Sequence, residues 1–185
     1  MKRIFTAIKI HPSEHLISLI YQFKSALRNE NIKWVEPQNI HITLKFFGET
    51  EDFKIPEIVD QLALVATRHK AFNFNIKGTG VFGSSYNPRV IWFGISESTE
   101  LQNLSADVLN SAEIIGWEKD RQNFVPHLTA GRIKNLNNKL KLKEVVDVNK
   151  YMEIQEEKVE AFYLYESILK PLGPIYNILE TFNLK

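Results

Sequence analysis

The sequence predicts an α+β protein built from antiparallel or mixed sheets. Three observations carry that prediction. Strand-like apolar runs alternate with helical stripes, and hairpin-like breaks rich in Gly, Pro and Asn separate them frequently. A four-residue pattern occurs twice, His41-Ile42-Thr43-Leu44 and His127-Leu128-Thr129-Ala130, 86 positions apart, which points to an internal duplication. There is neither a Gly-rich phosphate loop nor a dinucleotide fingerprint, which argues against a doubly wound parallel sheet.

Taken in order, Arg3 to Ile10 reads as a strand. Pro12-Ser13 opens a helix with Ser13 as N-cap and Leu16, Ile17, Ile20, Phe23 and Leu27 at helical spacing. Lys33-Trp34-Val35 is a short extended segment halted at Pro37, and Asn39 to Phe47 is a strand ended by Gly48. Pro56 suits the first turn of a second helix, with Ile58, Val59, Leu62, Val65 and Ala66 as its buried stripe. Phe72, Phe74 and Ile76 alternate as a strand. Gly78, Gly80 and Gly83 then punctuate a loop through Asn87-Pro88, and Arg89 to Ile95 is a strand again. Ser98 or Thr99 caps a third helix carrying Leu101, Leu104, Val108, Leu109 and Ala112, closed near Gly116. Phe124 to Ile133 is the second motif strand, and the polar segment 134–150 holds a short helix. Glu157 to Ile168 reads as one long strand. Pro171, Gly173 and Pro174 make a turn, and Tyr176 to Phe182 is the last strand.

With 185 residues and 44% hydrophobic content, the chain can bury a sizeable core. A formal net charge of +1 gives no broad basic surface for gripping long duplex nucleic acid. The absence of cysteine excludes a disulfide scaffold, a Cys-ligated zinc site and a thiol nucleophile. The N-terminus enters a strand pattern at once, with no evident signal peptide, and no stretch approaches a membrane-spanning length. The expectation is a soluble, cytoplasmic protein.

In a strand, side chains alternate faces, so His41 and Thr43 share one face, as do His127 and Thr129. The same alternation sends Ile40, Ile42, Leu44 and Phe46 toward a core, and Leu128 and Ala130 likewise. Two such strands suggest a single site with two bases and two hydroxyl donors.

The flanks of both motifs resemble the 2H phosphoesterase superfamily and, within it, the RNA 2′,3′-cyclic phosphodiesterase group, also called the 2′-5′ RNA ligase family. The similar stretches are Arg3-Ile4-Phe5-Thr6-Ala7-Ile8, Lys33-Trp34-Val35-Glu36-Pro37-Gln38-Asn39-Ile40, Phe46-Phe47-Gly48-Glu49, Gly80-Val81-Phe82-Gly83 and Pro88-Arg89-Val90-Ile91-Trp92. Phe124 to Arg132, Glu166-Ser167, Gly173 and Tyr176 extend them across nearly the whole chain. The resemblance implies one bilobal domain over residues 1–185: two similar lobes, each a mostly antiparallel sheet with outer helices, meeting at a central cleft floored by one His-x-Thr strand from each lobe.

It further implies hydrolysis of 2′,3′-cyclic phosphate ends of RNA, or of small nucleotides bearing that group, to a 2′-phosphomonoester, with 2′-5′ ligation as the reverse reaction. His41 and His127 would be the acid/base pair, since an imidazole changes protonation near neutrality. Thr43, Thr129 and Arg132 would hold the phosphoryl oxygens. Strict alternation puts Arg132 on the wrong face, which a bulge at Gly131 would relieve. Phe46 and Tyr176 are possible substrate contacts, although alternation leaves Phe46 with the core. Tyr86 and Trp92 could stack on a base, and Lys45 shares the open face of the first motif strand. His11, His15 and His69 lie outside the motifs, and no convincing metal set or cofactor is expected. A monomer is expected. The alternatives are a phosphodiesterase for another cyclic nucleotide phosphate and a non-catalytic RNA- or nucleotide-binding module. A binding module would not require two titrating groups.

Overall fold

Among the described residues, nine strands and four α-helices are laid out in the order β1 (Lys2–Lys9), α1 (Glu14–Ala26), β2 (Asn31–Trp34), β3 (His41–Thr50), α2 (Ile55–Ala66), β4 (Phe72–Gly83), β5 (Pro88–Ile95), α3 (Thr99–Ile114), β6 (His127–Asn135), α4 (Lys139–Val148), β7 (Glu153–Val159), β8 (Ala161–Ile168) and β9 (Ile175–Asn183). They come from a computed structural model that describes residues 1–118, 124–171 and 173–185. Among the described residues, the strands form a four-stranded sheet, β3-β1-β8-β9, and a five-stranded sheet, β2-β6-β5-β4-β7, with every pairing antiparallel. The expected α+β, two-sheet architecture is present. Among the described residues no helix is long and apolar enough to cross a membrane.

The helices form where stripes and caps expect them. Ser13 Oγ accepts from the Leu16 N–H, and α1 buries Leu16, Leu19, Ile20 and Phe23. Ser98 caps α3 in the same way through the Leu101 N–H. Helices α2 and α3 pack together and cover the four-stranded sheet, whereas α1 and α4 lie against β7 and β4 of the five-stranded one. The chain therefore passes repeatedly between lobes, and its buried apolar residues form one main cluster spanning both sheets.

Several boundaries differ from the expected ones. The segment read as a Gly-punctuated loop is the second half of β4. Gly78 (φ 74°) sits at a register shift in the β4–β5 ladder, and Gly80 pairs with Trp92, so these glycines bend the strand without ending it. The expected long strand from Glu157 to Ile168 is two strands broken at Glu160, because β7 pairs with β4 in one sheet and β8 with β1 in the other. Strand β3 also continues through Gly48 (φ 81°), where a second register shift absorbs the turn.

Both motif strands carry a bulge at the same place. Along β1, Ala7 faces Thr43 but Thr6 faces Lys45, so Leu44 has no partner. Along β5, Trp92 faces Thr129 but Ile91 faces Gly131, so Ala130 has none. The extra residue reverses the alternation: Leu44 and Lys45 are both buried, as are Ala130 and Gly131. Phe46 and Arg132, each five residues after its histidine, return to the open face. The core placement of Phe46 is thereby corrected, and Phe47 takes that role. Lys45 is corrected in the opposite sense: its side chain is buried and Nζ donates to the Glu118 carbonyl.

At Gly78 a Cβ would collide with the Lys150 carbonyl, and its positive φ strains any L side chain. Gly78→Ala should cost on the order of 2–3 kcal/mol in urea unfolding. A loss below about 0.5 kcal/mol would mean that β4 does not need this bend.

Candidate functional site

The lead-ins to both motif strands leave the ladder before their histidines. Pro37–Asn39 is a 3₁₀ turn, not the start of the strand, and residues 124–126 belong to no strand, so both motif strands begin at the histidine itself. This frees the carbonyl two residues upstream. His41 Nδ1–H donates to the Asn39 carbonyl at 2.7 Å, and His127 Nδ1–H to the Val125 carbonyl at 2.8 Å. A carbonyl can only accept, so the neutral form of each ring carries its proton on Nδ1 and leaves Nε2 as the basic nitrogen.

His41, Thr43, His127, Thr129 and Arg132 all line one cleft of about 510 Å³. Phe46 and Tyr176 line it too, and so do Arg3, Phe5, Lys33 and Trp34. Tyr86, at the exposed tip between β4 and β5, is not part of this lining. A larger open groove of about 700 Å³ beyond Phe46 includes Lys45 but neither motif histidine.

The two imidazoles have different surroundings. His41 sits among aromatic rings, with Phe5 at 5.1 Å and Tyr176 edge-on at 5.3 Å. Phe5, Ala7 and Tyr165 form a small apolar cluster apart from the main core, on the cleft side of the four-stranded sheet. His127 meets Phe82 edge-on at 4.7 Å. Burial lowers the pKa of His41 below its ordinary value. The Asn39 carbonyl opposes that shift, while the Arg132 and His127 charges add to it. His127 is lowered chiefly by burial as well, again opposed by its carbonyl and assisted by Arg132. Burial raises Tyr176, partly offset by Arg132 and Arg3, so its hydroxyl stays protonated and can donate. Tyr165 behind it is pushed up to about 12 by burial and then by Tyr163.

Arg3 and Phe5 were not singled out by sequence reasoning. Both lie on the open face of β1 beside the first motif strand, where Arg3 stands over the Phe46 ring at 4.7 Å. The available signal was the period-2 run Arg3, Phe5, Ala7. The cleft thus holds two titratable imidazoles, two hydroxyls and at least two guanidinium groups, a set suited to an anionic ligand that exchanges protons. Among the described residues no three His, Asp or Glu side chains gather as a metal-ligand group.

Comparison with known proteins gives the same picture. The family described as LigT like Phosphoesterase matches residues 8–92. The RNA 2′,3′-cyclic phosphodiesterase of Methanocaldococcus jannaschii is 35% identical over 179 residues, which cover 96% of this chain and 98% of the relative. That of Aquifex aeolicus is 39% identical over 155 residues, 82% of this chain and 81% of the relative. A crystal structure from Thermus thermophilus has a TM-score of 0.77 at 27% identity and covers 98% of this chain and 97% of its own. The E. coli LigT structure complexed with 3′-AMP shares the fold, with a TM-score of 0.73 at 23% identity, over 99% of this chain and 98% of its own.

Arg132→Gln should raise the pKa of both histidines, because it removes a positive neighbour that disfavours each imidazolium. An NMR titration of the ring protons reads this directly. A downward move of either would contradict the electrostatic role assigned to Arg132.

Proposed function

The chain belongs to the LigT-like phosphoesterase family, and from that premise we propose that it hydrolyses 2′,3′-cyclic phosphate ends of RNA to 2′-phosphomonoesters through the His41–His127 pair. The observation that carries this reading is the matched pair of imidazoles on one cleft, each with Nδ1 committed to a backbone carbonyl and Nε2 left free. A binding module would need neither the pairing nor the fixed tautomers.

Arg132 makes charge-assisted hydrogen bonds to the phosphoryl oxygens, and the Thr43 and Thr129 hydroxyls donate to the same group. One imidazole removes a proton from water as its oxygen attacks phosphorus. The P–O3′ bond breaks on the opposite side, and the other imidazole delivers a proton to the departing 3′-oxygen. His41 takes the base role, since burial among aromatic rings and the added repulsion from His127 favour its neutral form. His127 is then the acid. The proton positions are reversed after one turnover and reset through solvent. With the 5′-hydroxyl of a second RNA in place of water, the same pair opens the cyclic phosphate to a 2′-5′ linkage: one imidazole takes the hydroxyl proton as P–O5′ forms, and the other protonates the departing 3′-oxygen. The strained ring needs no metal, because two imidazoles supply base and acid while Arg132 and the threonine hydroxyls take the phosphoryl charge. All five groups come from one chain, which supports activity as a monomer. A cysteine-free RNA-end enzyme suits a reducing cytoplasm.

The test is turnover of a short RNA ending in a 2′,3′-cyclic phosphate, with the product phosphate mapped to the 2′ or 3′ oxygen. His41→Ala and His127→Ala should each lower kcat by roughly 10²–10⁴-fold, and the double variant should lose much less than the product. Replacing the leaving 3′-oxygen by sulfur removes the need for an acid. It should therefore restore activity to His127→Ala and not to His41→Ala; the opposite pattern would exchange the two roles.

The pH dependence follows from the signs of the shifts. Both pKa values lie below 6.5 in the free enzyme, and the active form has one ring neutral and one protonated. The optimum of kcat/KM should therefore fall on the acid side of neutrality, with activity declining as pH rises through the upper of the two values. Bound phosphate offsets the Arg132 charge and favours the imidazolium, so the kcat profile should extend to higher pH. EDTA should change neither profile; loss of activity restored by a divalent ion would sink the two-histidine mechanism.

A further inference from the structure

His127 has a second open side. Phe82 and Trp92 extend the cleft face of the five-stranded sheet away from His41, with ring centroids 5.3 Å apart. Trp92 lies across from Thr129 on one strand and from Gly80 on the other. Its indole rests against glycine on both flanks. A Cβ at Gly80 would collide with the ring, and one at Gly94 would come within 3.3 Å of it. These missing side chains let the indole settle onto the strands. The ring also lines a pocket of about 240 Å³ that has His127 as its boundary with the catalytic cleft. Ser96, Glu97, Ser98 and Gln102 add polar groups to the lining.

Resting on the reading of the cleft given above, we propose that this shelf is a second nucleobase subsite, which takes by stacking on Trp92 the base of the RNA nucleotide adjoining the one that bears the cyclic phosphate. Three features carry this. His127 lines both spaces, so a chain whose phosphate lies at His127 reaches the shelf without a detour. The main cleft already has room and aromatic walls for the terminal nucleoside, in Phe46, Trp34 and Tyr176. The smaller pocket, about half as large, then suits a single base. Finally, Trp92 Nε1 is buried with no hydrogen-bond partner among the described residues, a cost that phenylalanine would avoid. The position is thus using the area of the indole face. Stacking on an aromatic platform tolerates any base, and polar groups at the pocket wall can meet a base edge without demanding one identity.

The experiment compares adenosine 2′,3′-cyclic phosphate with the dinucleotide ApA ending in a 2′,3′-cyclic phosphate. The dinucleotide should have a kcat/KM about 5- to 100-fold higher in the wild type, the span expected for one stacked base. In Trp92→Phe and Trp92→Leu that ratio should fall toward one. Urea unfolding of both variants checks that the fold is kept: loss of indole packing over Gly80 and Gly94 lowers the midpoint, partly offset in Trp92→Phe by removal of the orphan donor. In parallel, the hydrolysed dinucleotide should quench tryptophan fluorescence more than adenosine 2′-monophosphate does in the wild type, since the mononucleotide reaches only Trp34 in the main cleft, and that excess should vanish in Trp92→Phe. Equal kcat/KM for the two compounds in the wild type, or a ratio that survives both substitutions, would overturn the subsite while leaving the catalytic reading intact. No turnover of either compound would overturn the catalytic reading, and the quenching measurement, which needs no chemistry, would then decide the shelf alone.

Discussion

The site depends on one constraint of β geometry and its violation. A strand presents every second residue to a given face, so a regular strand that shows His and Thr to a cleft must hide the residue five positions after the His. The bulges at Leu44 and Ala130 break that rule at equivalent points. Each buries two consecutive residues and returns the fifth to the open side. In the first strand that residue is Phe46, which packs under Arg3; in the second it is Arg132. Without the extra residue, the guanidinium would point into an apolar core, where an unpaired charge is not tolerated. The bulge is thus what allows a guanidinium to share the open face of one strand with the histidine and threonine.

The histidines depend on a second break in regularity, just before the strands. Because residues 37–39 and 124–126 lie outside the ladder, the carbonyls of Asn39 and Val125 accept from imidazole instead of from a neighbouring strand. This fixes the tautomer and the ring plane together, and it stabilises the imidazolium against the opposing pull of burial. The result is a pair of bases held neutral by their surroundings but able to accept a proton once an anion arrives. Arg132 adds to the suppression, since its charge disfavours imidazolium at both histidines.

Much of this was legible in the sequence, and the misses have physical reasons. The shared face of His and Thr follows from period-2 alternation. The bulge near Arg132 was signalled by Gly131, where a Cβ would come within 2.8 Å of Ile32 and 2.9 Å of Trp34. The equivalent bulge at Leu44 has no glycine to mark it. Lys45 takes the buried slot by running its aliphatic stem inward and giving Nζ to a carbonyl, so alternation alone misplaced both Lys45 and Phe46. The glycines of β4 read as a loop because glycine marks bends and breaks alike. The junction at Glu160 could not be seen at all. The residues on either side are equally strand-like, and only tertiary pairing decides that one set joins each sheet. The aromatic surroundings of His41 were hidden for a related reason, since Phe5 and Tyr176 reach it from strands far apart in sequence.

A two-base mechanism also requires that the bases keep their separation, and the chain path meets that need. The bilobal outline could suggest two bodies about a hinge, but one core cluster spans both sheets and the segments between strands cross from lobe to lobe. At the end of β1, the buried Glu157 carboxylate of β7 accepts from the His11 N–H at 3.2 Å, lies 3.1 Å from His11 Nδ1, and is held by Gln155 at 2.7 Å. This fastens the end of β1, an interior strand of the first sheet, to β7, an edge strand of the second. Such a frame lets the site be symmetric in its reactive groups yet asymmetric in what surrounds them. The His, the Thr, the carbonyl contact and the bulge are duplicated, so either direction of proton transfer is available. Phe46 against Arg132, and the Phe5–Tyr176 cradle against the Phe82 edge, are not duplicated. The duplicated half gives the two imidazoles the same tautomer and the same hydroxyl neighbour, and the unduplicated half gives them different surroundings.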